Sequence, residues 1–379
     1  MKMQKKFIIS LAGLLIFSLA LGAVWTTKRV TNNAGTSTYP AIAVSGSSVY
    51  LVWSDLTPGD QEIFFRKSID GGVTWQGSKR LSYSDDLSSY PDIAVSGSDV
   101  YVVWSDYTPG NYDIYFRKSA DGGATWEKTQ RLTANAGDSW YPKIAVIGAK
   151  ICVVWSDYTP GNAEIYFRKS IDGGATWQKA KRLTNNAGTS YNPDIAGKGA
   201  NVYVVWDDVS SGNDDMYFMR SGDGGANWQA AKRLTNNSGA SEFSALAAGG
   251  ALGSNICVAW QDDTPGNDEI YFRKSADGGS TWQASRRLTN NAGISATGAI
   301  AINDSSVYVV YYDNTPGNWE IYVVKSLDGG ATWGTARRLT DNSGSSTMPV
   351  VALSVANAYV AYDDNTPGNY EIYLKYSPL

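Results

Sequence analysis

Seven times along the chain, a short acidic loop recurs whose oxygen atoms could hold a cation or cap a turn. The copies read "DLTPGDQE" (55–62), "DYTPGNYD" (106–113), "DYTPGNAE" (157–164), "DVSSGNDD" (208–215), "DDTPGNDE" (262–269), "DNTPGNWE" (313–320) and "DNTPGNYE" (364–371). Each opens on Asp and closes on Asp or Glu. Two readings stand side by side. In the first, Asp and Thr cap loop amides, Pro-Gly turns the chain, and the closing carboxylate pairs with an arginine of a neighbouring strand. In the second, two carboxylates, a Thr and an Asn or Asp offer hard oxygens to Ca²⁺, although no EF-hand-like spacing is present.

Other chemistry is narrowly bounded. The chain has no histidine and two cysteines, which excludes a zinc site of the usual kind. Cys152 and Cys257 stand where five other copies have Tyr50, Tyr101, Tyr203, Tyr308 and Tyr359, and a disulfide would have to cross the repeat between them. They are expected as buried free thiols. For acid–base work the candidates near a common mouth are Asp92, Asp194 and Glu242. Aromatic residues gather at the same level. Tyr39, Tyr90 and Tyr141 immediately precede an apolar run, with Trp140 and Tyr191 one position earlier in their repeats. Tyr107, Tyr112, Tyr158, Trp319 and Tyr370 mark the acidic loops. Flat rings among carboxylates and amides suit sugar binding, and packing between neighbouring units is the competing use.

These residues need elements that place them, and the repeat supplies them. The sequence "S-x-D-G-G-x-[TN]-W" occurs six times, at 68–75, 119–126, 170–177, 221–228, 275–282 and 326–333. Its tryptophans are 51 residues apart, except for one step of 54. Each unit predicts four short strands: A after a proline, as in "PAIAVSG" (40–46); B as in "SVYLVWSD" (48–55); C as in "EIFFRKS" (62–68); and D as in "WQGSKRLS" (75–82). Four strands repeated about every 50 residues are the signature of a β-propeller.

Strand B occurs seven times, and so does strand D. The first D, "WTTKRVTNNAG" (25–35), precedes any strand A, while the last copy breaks off at Ser377. The N-terminal strand therefore completes the last blade and closes the ring, which removes the free edges of an open array. The expected fold is all-β, a single seven-bladed propeller over 24–379.

The box "SxDGGxTW" resembles the Asp-box, or BNR repeat, of the sialidase superfamily, and its six copies carry every defining residue. The resemblance covers essentially the whole mature chain. It implies a structural turn between the third and fourth strands, on the face opposite the active site. Sialidases also use three unique arginines, a Tyr nucleophile with a Glu partner and an Asp acid/base. The first of those arginines lies in an "RIP" sequence, two residues before the strand-A proline. Here those positions hold Thr38, Ser89, Trp140, Tyr191 and Thr347. All 14 arginines sit at repeated places, where a unique cluster cannot arise.

The chain opens with Lys2, Lys5 and Lys6, then the apolar run 7–21 and Gly22-Ala23. This predicts a signal peptide over 1–23, with an uncleaved anchor as the alternative. Loss of the three lysines takes the formal net charge from −4 to −7, which points away from nucleic acid and, after cleavage, from a membrane. The expectation is a secreted or cell-surface monomer that binds a glycan or a surface protein, without a catalytic residue or an obligatory cofactor. A sialidase-like glycoside hydrolase with a rearranged site is the alternative.

Overall fold

The structure, a computed structural model, describes residues 24–379 except residues 85, 109, 251, 252 and 304. The segment expected as a signal peptide lies outside the described residues. Those described form seven antiparallel sheets of four strands each. In blade 4, for example, strand A is Ser190–Lys198, B is Asn201–Asp208, C is Asp215–Ser221 and D is Lys232–Arg233. Strand A of each blade packs on strand A of the next, and the seventh returns to the first.

Blade 7 is assembled from both ends of the chain. Its strands A to C are Ser346–Leu353, Asn357–Asp364 and Glu371–Pro378, and its fourth strand is Thr26–Arg29. Thr26 pairs with Tyr376 and Arg29 with Tyr373. Closure by the N-terminal strand is therefore as the sequence predicts.

The apolar core lies between blades, because strand B is covered on both faces. Val52, Ile63 and Phe65 of blade 1 meet Val100, Val102 and Trp104 of blade 2. Fully burying a side chain of this size contributes about 1.5–3 kcal/mol. The box tryptophans join the same seams. Trp126 meets Phe65 of the preceding blade edge-on, and Trp25 takes the equivalent place against the blade 6 cluster of Tyr308 and Val323. Within a box, Ser170 donates to Asp172 at 2.7 Å, and Asp172 accepts from the Thr176 amide at 2.9 Å. Hydrogen bonds from Thr176 and Ser170 hold the Asp172 carboxyl down at about 2. Both cysteines are free and buried, and burial pushes each thiol up to about 12.

Two strands differ from expectation. In blades 1 to 6 strand D pairs over only two residues, such as Lys79–Arg80. Beyond them the Ser82 hydroxyl takes over, accepting from the Ile63 amide at 2.7 Å. Strand A begins before its proline, at Ser37 in blade 1, and bulges at Tyr39-Pro40 between Thr38 and Ala41. Proline cannot donate to the ladder and so suits the bulge in the five blades that have it, and blade 5 bulges at Phe243-Ser244 without one.

Candidate functional site

The bulge decides how the mouth is lined. The residue before each strand-A proline, or its equivalent, is left-handed in six blades: Tyr39, Tyr90, Tyr141, Asn192, Phe243 and Met348, with φ between 48° and 53°. For Tyr, Phe and Met this conformation is uncommon and costs free energy, so the surrounding contacts must impose it. In blade 6, Thr297 stands before Gly298, pairs in the ladder and escapes it.

On blades 1 to 3 the bulges gather a continuous aromatic belt. Tyr39 and Tyr141 each lie 4.7 Å from Tyr90, ring centre to ring centre. Trp140 is 5.8 Å from Tyr90, Tyr112 lies 3.5 Å from Trp140, and Tyr107 lies 4.9 Å from Tyr112. Burial, then the flanking tyrosines, raises the pKa of Tyr90. Six of the ten predicted binding residues thus share one surface. Tyr158 is exposed and feels Tyr141 electrostatically. Trp319 packs on Tyr312 at 5.0 Å, and Tyr370 bonds Thr347. Tyr191 belongs to another group, described below.

Beneath the belt, Tyr39, Tyr90, Tyr141, Asp92 and Lys143 line a central cavity of about 290 Å³. Of the residues after each strand-A proline, or its equivalent, Ala41, Asp92, Lys143, Ala299 and Val350 line the cavity, and Asp194 acts electrostatically on Lys143. Three consecutive blades therefore present Asp, Lys and Asp. Each keeps some exposure to the channel, yet protein encloses it on the other sides. Burial raises Asp92, and it raises Asp194 to about 6 against the pull of Lys143. Burial opposes the charge of Lys143, but Asp92 and Asp194 outweigh it and leave its pKa raised. Asp92 accepts the Ile144 amide at 2.8 Å and Asp194 the Leu246 amide at 2.7 Å, so both also tie adjacent blades.

Glu242 does not join Asp92 and Asp194, contrary to the grouping the sequence suggested. It lies between blades 4 and 5 and hydrogen-bonds Asp214, whose Oδ1 accepts from the Tyr191 hydroxyl at 2.6 Å. Burial, then Asp214, raises Glu242 to about 7. Beside them Asp207 is fully buried. Its Oδ2 accepts from Asn192 at 3.0 Å and from the Phe243 amide at 2.9 Å, while its Oδ1 accepts nothing. Burial raises Asp207 to about 8. On blade 7, Asp363 occupies the same strand-B position and is raised by burial to about 7; it bonds Thr347 and the Tyr39 amide.

Lys143, Asp207, Asp214 and Asp363 were not selected from the sequence. Their signal was a departure within a column. Asp207 and Asp363 stand where blades 1 to 3 have Ser54, Ser105 and Ser156, and Asp214 lies in "DVSSGNDD", the loop that lacks TPG.

The repeated loop carboxylates serve the fold. Asp55 accepts from Trp53 Nε1 at 2.9 Å, from Ser37 and Asn33 at 2.8 Å, and from the Thr57 amide at 2.8 Å. Each closing carboxylate is buried and pairs with its strand-D arginine, as Glu164 does with Arg182 at 2.7 Å. Arg117 of strand C donates to Leu81 O at 2.6 Å.

No protein-family model matches the chain, and no curated protein matches it in sequence. Solved structures do match. An ulvan lyase bound to -[GlcA(1-4)Rha3S]- superposes with a TM-score of 0.64 at 12% identity, over 90% of this chain and 94% of that one. An α-L-arabinanase of Penicillium chrysogenum, complexed with arabinobiose, gives 0.53 at 13% identity over 77% and 93%. A mutant Trypanosoma rangeli sialidase displaying trans-sialidase activity gives 0.52 at 14% identity, over 93% of this chain and 58% of that one. At such identities the likeness is one of fold: this chain is built like the propellers of carbohydrate-active enzymes.

Proposed function

We propose that the chain is an exported binding module that holds a glycan at the mouth of the propeller, on a cell surface or in the medium. The belt of Tyr39, Tyr90, Tyr141, Trp140, Tyr112 and Tyr107 carries this reading. Sugar rings stack on such faces through their C–H surfaces, and the neighbouring carboxylates and amides accept and donate to hydroxyls. The fold likeness to an ulvan lyase, an arabinanase and a sialidase supports a carbohydrate ligand. The arginines support binding over sialic acid cleavage. The seven of strand D are paired with buried carboxylates, and none of the 14 lines the central cavity.

One observation favours a second reading, a glycoside hydrolase with a rearranged site. Glu242 holds its proton to about pH 7 beside Asp214 and Tyr191, as a general acid must. A glycan-array screen with a sialoside cleavage control separates the two. Binding without turnover supports the module, and turnover supports the hydrolase. A blank array sinks both. Repeating the array with EDTA tests Ca²⁺ at the acidic loops.

A further inference from the structure

The two faces of the ring differ in character. The mouth carries the seven acidic loops, and the opposite face carries the boxes and the A–B turns. Hydrogen bonds fix that second face blade by blade. The Gly71 amide of the first box donates to Ser47 O of its turn at 2.9 Å, and the Gly329 amide of the sixth to Ser305 O at 2.6 Å. Blade 7 has no continuous box, and there the Leu379 amide takes the place, donating to Ala356 O at 3.0 Å. Thr26 pairs with Tyr376 at the same end of the sheet. Both ends of the ring therefore meet on the box face, at blade 7.

Around that junction the surface is apolar. The second residue of the box is Leu327 in blade 6 and Ile69 in blade 1, against Ala120, Gly222 and Ala276 in blades 2, 4 and 5. Leu327 is 64% exposed, and Val355, in the blade 7 turn, is 96% exposed. Val24, Leu379, Ile69 and Val73 are exposed beside them. Among these three consecutive blades, Val44, Ile302, Leu353 and Val355 line a cavity of about 560 Å³. A run of aliphatic side chains held in water is unfavourable and marks a surface that something covers.

Cations frame the patch. Lys274 and Arg286 of blade 5 reach the sixth box, donating to Gly329 O and Ala331 O, each at 2.8 Å. Lys325 and Lys375 stand on strands C of blades 6 and 7. Among the described residues none of the four forms an ion pair. The box carboxylates Asp70 and Asp328 turn their oxygens to the Ser and Thr of their own boxes. The chain enters the patch at Val24, shortly after the apolar run 7–21. Aliphatic side chains, cations and an apolar leader at one place fit a bilayer with anionic headgroups. A soluble polyanion offers nothing to Leu327 or Val355. The expectation that the chain avoids membranes after cleavage rests on net charge, which averages the acidic mouth with this face. We propose that the patch of Leu327, Val355, Leu379, Val24, Ile69 and Val73 rests on an anionic phospholipid bilayer. The aromatic belt then faces away from the membrane, open to ligands in the medium.

Vesicle flotation of the chain 24–379 tests this, since the ring is complete without the preceding residues. The protein is expected to float with vesicles of equimolar phosphatidylglycerol and phosphatidylcholine. With phosphatidylcholine alone its partition coefficient should be about tenfold lower, because cations at an anionic surface add to apolar insertion. Leu327→Gln combined with Val355→Gln is expected to lower partition into the anionic vesicles about tenfold or more. Both side chains are exposed, so the fold is retained, which circular dichroism checks. Ile171→Gln, at a residue of blade 3 that is 60% exposed and lies outside the patch, should leave partition unchanged. Absence of flotation with the anionic vesicles, or flotation that the double variant keeps in full, overturns the proposal. Equal flotation with both compositions overturns the anionic headgroup. Capture by dextran sulfate without flotation assigns the face to a soluble polyanion and overturns the bilayer. A dimer in gel filtration that the double substitution dissolves overturns it too, because a second copy then covers the patch. The glycan array reads the mouth separately, so each proposal can fail alone.

Discussion

Trp177 meets Phe116 edge to face, with ring centres 5.0 Å apart and planes at 76°, across the seam between blades 3 and 2. Gly174 makes that approach possible. Its φ is +90°, and a Cβ there would lie 2.7 Å from Phe116 Cζ. Gly174→Ala combines a left-handed alanine with an overpacked seam and is expected to cost about 2–3 kcal/mol. Gly77→Ala, where a Cβ meets nothing within 4 Å, is the control and should stay within about 0.5 kcal/mol. Denaturant midpoints of the two variants decide it.

Asp363 gives stability a pH dependence whose sign is fixed. Its carboxyl is raised by burial to about 7, against about 4 in an unfolded chain. The native state therefore binds the proton more tightly. Below pH 4 both states are protonated. Between about 4 and 7 the unfolded state gives its proton up and the native state keeps it, so this contribution is lost as pH rises and levels off above 7. Asp363→Asn imitates the protonated group. The variant should lose less stability than the parent between pH 5 and pH 8, measured by thermal melts at each pH.

Tyr90 is the centre of the aromatic belt, in contact with Tyr39, Tyr141 and Trp140. Tyr90→Ala is expected to weaken binding of whichever glycan the array selects by about tenfold or more, as a central aromatic anchor does. Trp319→Ala, on a ring that packs against Tyr312, should change it far less. Equal losses would place the ligand elsewhere.

Glu371 closes the ring. It pairs with Arg29 at 3.0 Å and accepts the Asn33 amide at 3.0 Å. Glu164 has the same partners within one continuous blade, Arg182 at 2.7 Å and the Asn186 amide at 3.1 Å. Changing either to Ala should cost about 2–4 kcal/mol. Only Glu371→Ala should also free the N-terminal strand. Limited trypsin digestion is expected to cut at Lys28 or Arg29 faster in that variant, and no faster in Glu164→Ala.

Much of the fold was legible because one pattern was written seven times. The match of "WTTKRVTNNAG" to later strands D placed Trp25 and Arg29 in the last blade, and the column holding Cys152 and Cys257 among tyrosines placed both in the core. The belt was legible in part for the same reason: Tyr39, Tyr90 and Tyr141 occupy one column, while Trp140 stands one position earlier and Tyr107 and Tyr112 lie in an acidic loop. The acid cluster between blades 4 and 5 was not. Asp214 and Tyr191 lie 23 residues apart and Glu242 belongs to the next blade, so their meeting depends on the angle between two sheets. Nor does the alphabet of a strand reveal a left-handed tyrosine, since blade 5 bulges at Phe243-Ser244 without the proline that marks the same place in five other blades.

The last ladder, Thr26 to Arg29 against Tyr373 to Tyr376, joins residues about 350 positions apart. A ribosome delivers Thr26 about 350 residues before Tyr376. Each middle blade can pair its own strands as it emerges, but this strand has no partner until the third strand of blade 7 has been made. Ring closure is therefore expected as the slowest phase of refolding, reported by Trp25 as it enters the seam, and the chain's most aggregation-prone interval is the one just before it.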